Sequence, residues 1–180
     1  DQDQIYGVIK GSAVNHGGKA SGYSIPNPDA QAEVISEALR KADIDPNTVN
    51  YIEAHGTGTS LGDPIEIQGL KDSYQLNHPC AIGSVKSNIG HLESAAGIAA
   101  VTKVLLQMKN KQLVPSLHSD IVNPFIDFDQ VPFQVQRKAA EWNIPQNSNV
   151  VHPLRAGVSA FGAGGTNAHL ILEAYEPPKA

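Results

Sequence analysis

Short apolar runs alternate along the chain with longer stretches that have helical spacing. A run of four to eight apolar or β-branched residues bounded by Gly, Pro or Asn is typical of a strand. Such runs predict strands at 5–9 with an extension towards residue 14, at 49–54, at 80–85, at 155–160 and at 168–174. The last two flank a glycine-rich turn at 161–167, which predicts a hairpin. Short edge strands are expected at 131–135 and near Trp142.

Two helices are expected between the first three strands. Asn27 followed by Pro28 is a helix start, with an Asn cap and proline at the first helical position, and apolar spacing continues to about residue 42. Asp63 to Glu66 has the form of a capping box with Pro64 at its first position, and this helix should reach about Tyr74. The alternation of strands and helices followed by a hairpin predicts an α/β layer protein.

The stretch at 92–108 is unusually apolar, and Glu93 and Lys103 are its only charged residues. A helix that is apolar on nearly all sides is typically buried. Lys86 and His91 lie where this helix is expected to begin. A histidine in the first turn of a helix meets the positive end of the helix dipole, which disfavours its protonated form. We therefore expect His91 to be a neutral N–H donor near pH 7.

Composition and charge exclude several functional classes. The chain has 180 residues, 41% of them hydrophobic and 17% charged, enough for one domain with a real core. A net charge of −5 without long like-charge runs argues against contact with nucleic acid or with an anionic membrane. The one cysteine, Cys80, excludes a disulfide framework and fits a cytoplasmic, reducing compartment. We see no signal peptide and no membrane span.

The residues with chemical potential lie in three loops, each of which follows a predicted strand. These loops carry His55 with Thr57 and Thr59, the segment from Lys86 to His91, and the glycine-rich turn at 161–167. Loops at one edge of a sheet can converge on one site. Two neutral imidazoles can each offer an N–H to an enolate or oxyanion, and glycines in the turn allow backbone N–H groups to face a substrate oxygen. The threonine hydroxyls suit an amide-bearing ligand arm.

Other interpretations of these residues remain open or are disfavoured. Lys86 is either a solvated lysine at a strand end or a buried ion-pair partner of nearby acids, for which Asp63, Glu66 and Glu93 are the candidates. The glycine turn lacks the spacing of a dinucleotide or P-loop motif. The histidines lack metal-ligand spacing, so no metal site is expected. Cys80 lies in a buried strand without an adjacent base and is interpreted as an inert thiol.

Three motifs together resemble the β-ketoacyl synthase family. They are E-A-H-G-T-G-T at 53–59, K-S-N-I-G-H at 86–91 and F-G-A-G-G-T-N-A-H at 161–169. The chain is most similar to ketosynthase domains of modular type I polyketide synthases, whose products include antibiotics. The resemblance implies a thiolase-like α/β fold and covers its C-terminal half, with a mixed sheet and a buried central helix. Residues 1–173 would form this half, and 174–180 would begin the linker that follows a ketosynthase.

The resemblance also implies a role for individual residues. His55 and His91 would be the two catalytic histidines that bind a malonyl thioester, assist its decarboxylation and stabilise the enolate. Lys86 would support the second histidine, with Glu93 as its acidic neighbour and Asp63 and Glu66 in supporting ion pairs. Ala163 falls where a backbone N–H completes the oxyanion hole and where fatty-acid relatives often carry a gating phenylalanine. The phosphopantetheine arm of an acyl carrier protein would contact Thr57, Thr59, Phe161, Gly162 and Gly164.

The chain departs from the family in one respect. The nucleophilic cysteine of the family lies in a T-A-C-S-S type motif, which is absent here, and Cys80 does not match it. Because no acyl-enzyme can form without that thiolate, this chain alone is expected to be inactive. It is also expected to bind no cofactor of its own. It would be a fragment, a cleaved product or part of a split synthase, completed by an N-terminal half. The complete domain would be a homodimer that works with an acyl carrier protein.

Two alternative functions are weighed against condensation. One is a non-catalytic half that docks a carrier protein or serves assembly. The other is a ketosynthase-like domain that passes chains on without extending them. The presence of both His55 and His91 together with Lys86 favours the enzymatic interpretation, because a scaffold needs none of them.

Overall fold

The computed structural model describes residues 3–18, 26–144 and 152–177. The last three residues of the predicted linker, and residues 19–25 of a predicted polar loop, lie outside this part. The strands are β1 Val8–His16, β2 Tyr51–Glu53, β3 Cys80–Gly83, β4 Gln112–Leu113, β5 Phe133–Val135, β6 Ala140–Glu141, β7 Arg155–Phe161 and β8 Thr166–Glu173. The helices are α1 Pro28–Ala42, α2 Gly62–Tyr74, α3 Lys86–Ile89 and α4 Ala96–Asn110, with 3₁₀ turns at Pro46–Thr48 and Glu93–Ala95.

Six strands form one mixed sheet in the order β1-β8-β7-β2-β3-β5. Strands β7, β2, β3 and β5 are parallel, whereas β1, β8 and β7 pair antiparallel. The hairpin expected at the end of the chain is β7 and β8, and the expected edge strand near residue 133 is β5. The strand predicted near Trp142 pairs with β4 in a separate two-stranded ribbon. The structure therefore confirms the predicted mixed α/β sheet.

Helices cover both faces of the sheet. Helices α1 and α2 pack on one face around Ile35, Ile52 and Leu70, and α4 packs on the other around Val104 and other apolar residues. The start of α1 is as predicted, because the Asn27 side chain accepts the N–H groups of the first turn. This arrangement leaves the carboxyl ends of the parallel strands uncovered by helices, and ligands commonly bind at that edge.

Strand β1 differs from the prediction at both ends. It begins at Val8 and continues through Asn15 and His16, where polar residues and glycines had indicated a break. The reason is long-range pairing, because β1 pairs with β8 from Val8 to His16, with one shift of register between Ile9 and Gly11. Gly11 lies where β1 meets α1, and a Cβ atom there would come within 2.5 Å of the Ala42 nitrogen.

The apolar stretch at 92–108 is not one helix, and it is not buried on all sides. A 3₁₀ turn precedes α4, which begins at Ala96, and Glu93 has a positive φ of 49° that interrupts the helix. One face of α4 packs on the sheet, while Ile98 and Leu106 are 66% and 51% exposed. This chain therefore covers one side of the helix, as expected for one half of the fold that would enclose it. Among the described helices, none is long and apolar enough to cross a membrane.

Candidate functional site

The three loops converge at the carboxyl ends of β2, β3 and β7, around a cleft of about 740 Å³. Nine of the predicted site residues line this cleft: His55, Thr57, Thr59, Glu66, His91, Phe161, Gly162, Ala163 and Gly164. Asp63, Lys86 and Glu93 do not line it. The roles assigned to these residues remain predictions, but the structure brings most of them to one surface.

The two histidines of the cleft lie edge to face. Their ring centroids are 5.3 Å apart at an interplanar angle of 83°, and the His55 ring also lies 5.7 Å from the Phe161 ring. Burial lowers the pKa of His55 to about 3, helped by the positive charge of Lys86 and by His91. His55 is therefore neutral at physiological pH. The positive charge of Lys86 therefore disfavours protonation of His55.

His91 lies in a turn and not in the first turn of a helix. Its Nδ1 accepts the backbone N–H of Glu93 at 2.9 Å, so the neutral ring carries its proton on Nε2. Helix α4 begins only at Ala96, so the predicted placement of His91 in a first helical turn is wrong. Gly90, with φ of 75°, shapes the bend just before this histidine. The role of His91 as an N–H donor stays a prediction, and the helix dipole is not its cause.

The carboxylates at the start of α2 bind the preceding loop and not their own helix. The Glu66 carboxylate accepts the backbone N–H groups of His55 at 2.7 Å and Gly56 at 2.9 Å, and Asp63 accepts that of Gly58 at 3.1 Å. Helix α2 begins at Gly62 without a side-chain cap, so the predicted capping box is wrong. Burial raises the pKa of Glu66 to about 7, against the lowering effect of the two N–H groups.

The predicted ion pairs around Lys86 are not formed. Within the described ranges, Lys86 makes no salt bridge with Asp63, Glu66 or Glu93. Burial lowers the pKa of Lys86, while the negative charges of Glu66 and Glu53 raise it in part. The Glu66 and Asp63 carboxylates accept backbone N–H groups of the preceding loop instead.

The glycine-rich turn between β7 and β8 leaves two backbone donors free. The N–H of Gly162 donates to the Thr166 carbonyl and that of Gly165 donates to the Gly162 carbonyl, so these two glycines do not offer their N–H groups to a substrate oxygen. For the N–H groups of Ala163 and Gly164, no acceptor is present in the part of the chain that the structure describes. Both residues are exposed in the cleft, where these donors can meet an oxyanion.

The threonines lie along the cleft wall between the histidines and the β1–α1 connection. Their Oγ1 atoms are 3.4 Å apart, and that of Thr59 also accepts the N–H of Gly62. Both side chains are exposed and retain hydroxyl capacity for a ligand. Across the described residues, no group of three potential ligands is arranged to hold a metal ion.

Sequence reasoning missed two features of the site. Asn27, Gln31 and Asn167 line the far part of the cleft. A buried ion pair between Glu53 and Lys103 lies beneath it. The sequence does carry a signal for the second feature, because Glu53 lies in a predicted strand and Lys103 in a predicted buried helix, and buried charges are normally paired.

Comparison with known proteins agrees with this geometry. Residues 6–120 match the family described as "Beta-ketoacyl synthase, C-terminal domain". The chain is 60% identical to polyketide synthase PksL of Bacillus subtilis over 98% of its length, and 57% identical to polyketide synthase ThaG of Burkholderia thailandensis over 97%. It covers 4% and 3% of those two proteins.

Solved structures show the same fold. The oxazolomycin ketosynthase domain OzmH KS7 of Streptomyces albus JA3453 superposes with a TM-score of 0.92 at 52% identity, over 99% of this chain. The ketosynthase from module 6 of the bacillaene synthase of Bacillus subtilis 168 gives 0.91 at 42% identity, over 97%. The chain spans 32% of each of those chains. It therefore belongs to the β-ketoacyl synthase family, with a thiolase-like fold, and corresponds to the C-terminal half of a polyketide synthase ketosynthase domain.

Proposed function

We propose that this chain is the histidine-bearing half of a ketosynthase that catalyses decarboxylative Claisen condensation of an acyl chain with a malonyl-type carrier protein. One observation carries the proposal: His55 and His91 lie 5.3 Å apart in the cleft that Ala163 also lines. The two imidazoles and the backbone N–H of Ala163, which has no acceptor among the described residues, supply donors for two successive oxyanions. A docking half or a non-elongating domain would not require this arrangement.

The first oxyanion forms on the malonyl unit. Its thioester oxygen accepts N–H groups from the two imidazoles, with His91 donating through Nε2. The bond to the carboxylate carbon breaks, carbon dioxide leaves, and the electron pair remains on the thioester as an enolate. The neutrality of His55 suits this step, because a neutral donor polarises the oxygen without first holding the substrate carboxylate as an ion pair.

The second oxyanion forms on the acyl group. The enolate carbon attacks the acyl thioester carbon, and the tetrahedral oxygen accepts the N–H of Ala163. Collapse expels a cysteine thiolate and leaves the β-ketoacyl chain on the carrier. That cysteine belongs to the N-terminal half, since Cys80 lies buried in β3 with a pKa raised by burial. This chain alone is therefore proposed to be inactive.

The partner half also has a place to bind. Ile98 and Leu106 on α4 and Ile89 on α3 are large apolar side chains that are exposed. Large exposed apolar surfaces mark interaction sites, and we propose that the cysteine-bearing half covers these side chains. The complete domain would form a homodimer in the cytoplasm, and the phosphopantetheine arm of the carrier protein would run along Thr57 and Thr59.

Reconstitution tests the proposal directly. The cysteine-bearing half, loaded with an acyl thioester, is combined with this chain and a malonyl carrier protein, and the product is followed by mass spectrometry. We expect β-ketoacyl product from the wild type and a loss of about 10²- to 10³-fold for His55→Ala or His91→Ala. His78→Ala, outside the cleft, is the control. Acyl transfer to the carrier without carbon dioxide release would indicate a non-elongating domain, and carrier binding without either reaction a docking half.

A further inference from the structure

A buried charge pair lies beneath the cleft, between α4 and the sheet. Lys103 Nζ is 2.8 Å from Glu53 Oε2, and the two side chains are 7% and 0% exposed. Lys103 also donates to the Tyr51 hydroxyl at 2.9 Å, and that hydroxyl donates to Glu53 Oε2 at 2.6 Å. Removing two charges from water is costly, and a well-packed apolar pair is often at least as stable. A gain in folding stability is therefore a weak explanation for the presence of this buried cluster.

The second oxygen of the carboxylate connects the cluster to the site. Glu53 Oε1 accepts the backbone N–H of Val85 at 2.5 Å. Glu53 ends β2 two residues before His55, and Val85 directly precedes α3, which begins at Lys86. The carboxylate thus joins the two parallel strand ends from which His55 and the segment from Lys86 to His91 project.

Lys103 adds the third element to this junction. It lies on α4, the helix that follows His91, and it binds the same carboxylate. One carboxylate therefore receives donors from β2, from the β3–α3 turn and from α4. The ring of Tyr51 packs edge-on against Trp142 at 5.4 Å, which fixes its hydroxyl within the cluster. Relative movement of any of these elements would alter the separation of the two catalytic rings.

We propose that Glu53 is a positioning residue for the condensation reaction and that Lys103 is the counter-ion that keeps its carboxylate in place. The inference rests on the proposed function for its kinetic readout. A small displacement of catalytic groups is enough to matter, because an error of about 1 Å far from the chemistry can lower a rate by about 10²-fold. The pair therefore acts through His55 and His91 and touches no substrate.

A double-substitution cycle in the assembled domain tests this role. Lys103→Met leaves a buried carboxylate without its cation, and Glu53→Gln leaves a buried ammonium without its anion. We expect each to lower kcat by about 10- to 100-fold with little change in KM for the malonyl carrier. The combined Glu53→Gln/Lys103→Met variant should regain kcat to within about threefold, because the amide oxygen still accepts the Val85 N–H and needs no cation.

The matched control is Arg155→Met. Arg155 pairs with Glu173 at 2.7 Å and joins two strands in the same way, but it begins β7, at the end of the strand away from the cleft. The Arg155→Met substitution should lower the unfolding midpoint and leave kcat unchanged. If the Lys103 and Glu53 variants behave like this control, with lower midpoints and unaltered kcat, the pair is structural and the proposal is wrong. A combined variant that recovers its midpoint but not its kcat would also overturn it.

A spectroscopic readout separates this test from the proposed function. Imidazole ¹H–¹⁵N spectra of the assembled domain report the surroundings of His55 and His91 without turnover. Resonances that shift in each single variant and return in the combined one support positioning even if the wild type condenses nothing. Resonances that do not move overturn the positioning role, whatever the activity of the wild type.

Discussion

The Glu66 carboxylate holds the loop of His55 by accepting the backbone N–H groups of His55 and Gly56, at 2.7 and 2.9 Å. The contact ties this glycine-containing loop to a side chain of α2. It also means that the acid acts through the backbone and needs no partner cation. The stability of the loop that carries His55 therefore depends on α2, from which this side chain projects.

Substitution of Glu66 should loosen the loop. Glu66→Ala leaves two buried N–H groups without an acceptor, which costs about 1–3 kcal/mol of unfolding free energy for each unsatisfied donor. Turnover by the assembled domain should fall because His55 is displaced. Urea unfolding and kcat check the two effects, and Glu33→Ala, on the exposed surface of α1, is the control. Unchanged stability in Glu66→Ala would show that the two hydrogen bonds are not what holds the loop.

Two buried histidines should make the fold sensitive to acid. Burial lowers the pKa of both His55 and His169 to about 3, whereas an unfolded histidine titrates near 6.5. Between these values the unfolded chain binds more protons than the folded one, so stability rises with pH from about 3 to 6.5 and is fully present above 6.5. The expected slope approaches about 1.4 kcal/mol per pH unit for each histidine.

Urea unfolding of the assembled domain across this pH range measures the slope. Glu66 has the opposite effect between pH 4.5 and about 7, because its raised pKa makes the folded state hold the extra proton. Glu66→Gln should therefore steepen the net rise between pH 4.5 and 6.5. A flat profile in that variant would contradict the assignment of neutral buried histidines.

Local signals in the sequence were reliable where the structure is local. The start of α1 follows from Asn27 and Pro28, and the β7–β8 hairpin follows from two apolar runs around glycines. The errors concern long-range contacts. Glu66 looks like a cap for its own helix, but its carboxylate faces a loop 10 residues earlier. Glu53 and Lys103 are 50 residues apart in sequence, and no periodicity links them.

Gly11 is expected to be irreplaceable for packing. A Cβ atom there would overlap the Ala38 carbonyl oxygen and lie 2.5 Å from the Ala42 nitrogen, which are backbone atoms of α1. Gly11→Ala should therefore force the helix away from β1 and destabilise the fold by about 1–3 kcal/mol or more. Thermal unfolding of the assembled domain measures the loss.

The control for Gly11 is a helical glycine with space around it. At Gly97, a Cβ atom would meet the Ala160 side chain at an ordinary 3.6 Å. Gly97→Ala should raise stability by up to about 1 kcal/mol, since alanine favours a helix. Equal effects of the two substitutions would show that backbone crowding at Gly11 is not the cause.

The free N–H of Ala163 gives the sharpest test of the second oxyanion. Ala163→Pro removes this donor, and kcat should fall by about 10²- to 10³-fold, as when an oxyanion-hole donor is lost. Ala163→Gly keeps the N–H and should retain activity.

Ala163→Phe also keeps the N–H but narrows the cleft, so condensation of branched acyl chains should fall more than condensation of acetyl. Product analysis by mass spectrometry with acetyl and branched acyl donors checks both effects. If Ala163→Pro folds with an unchanged unfolding midpoint and keeps its kcat, the backbone N–H of this residue does not stabilise the oxyanion. Another donor would then bind that oxygen.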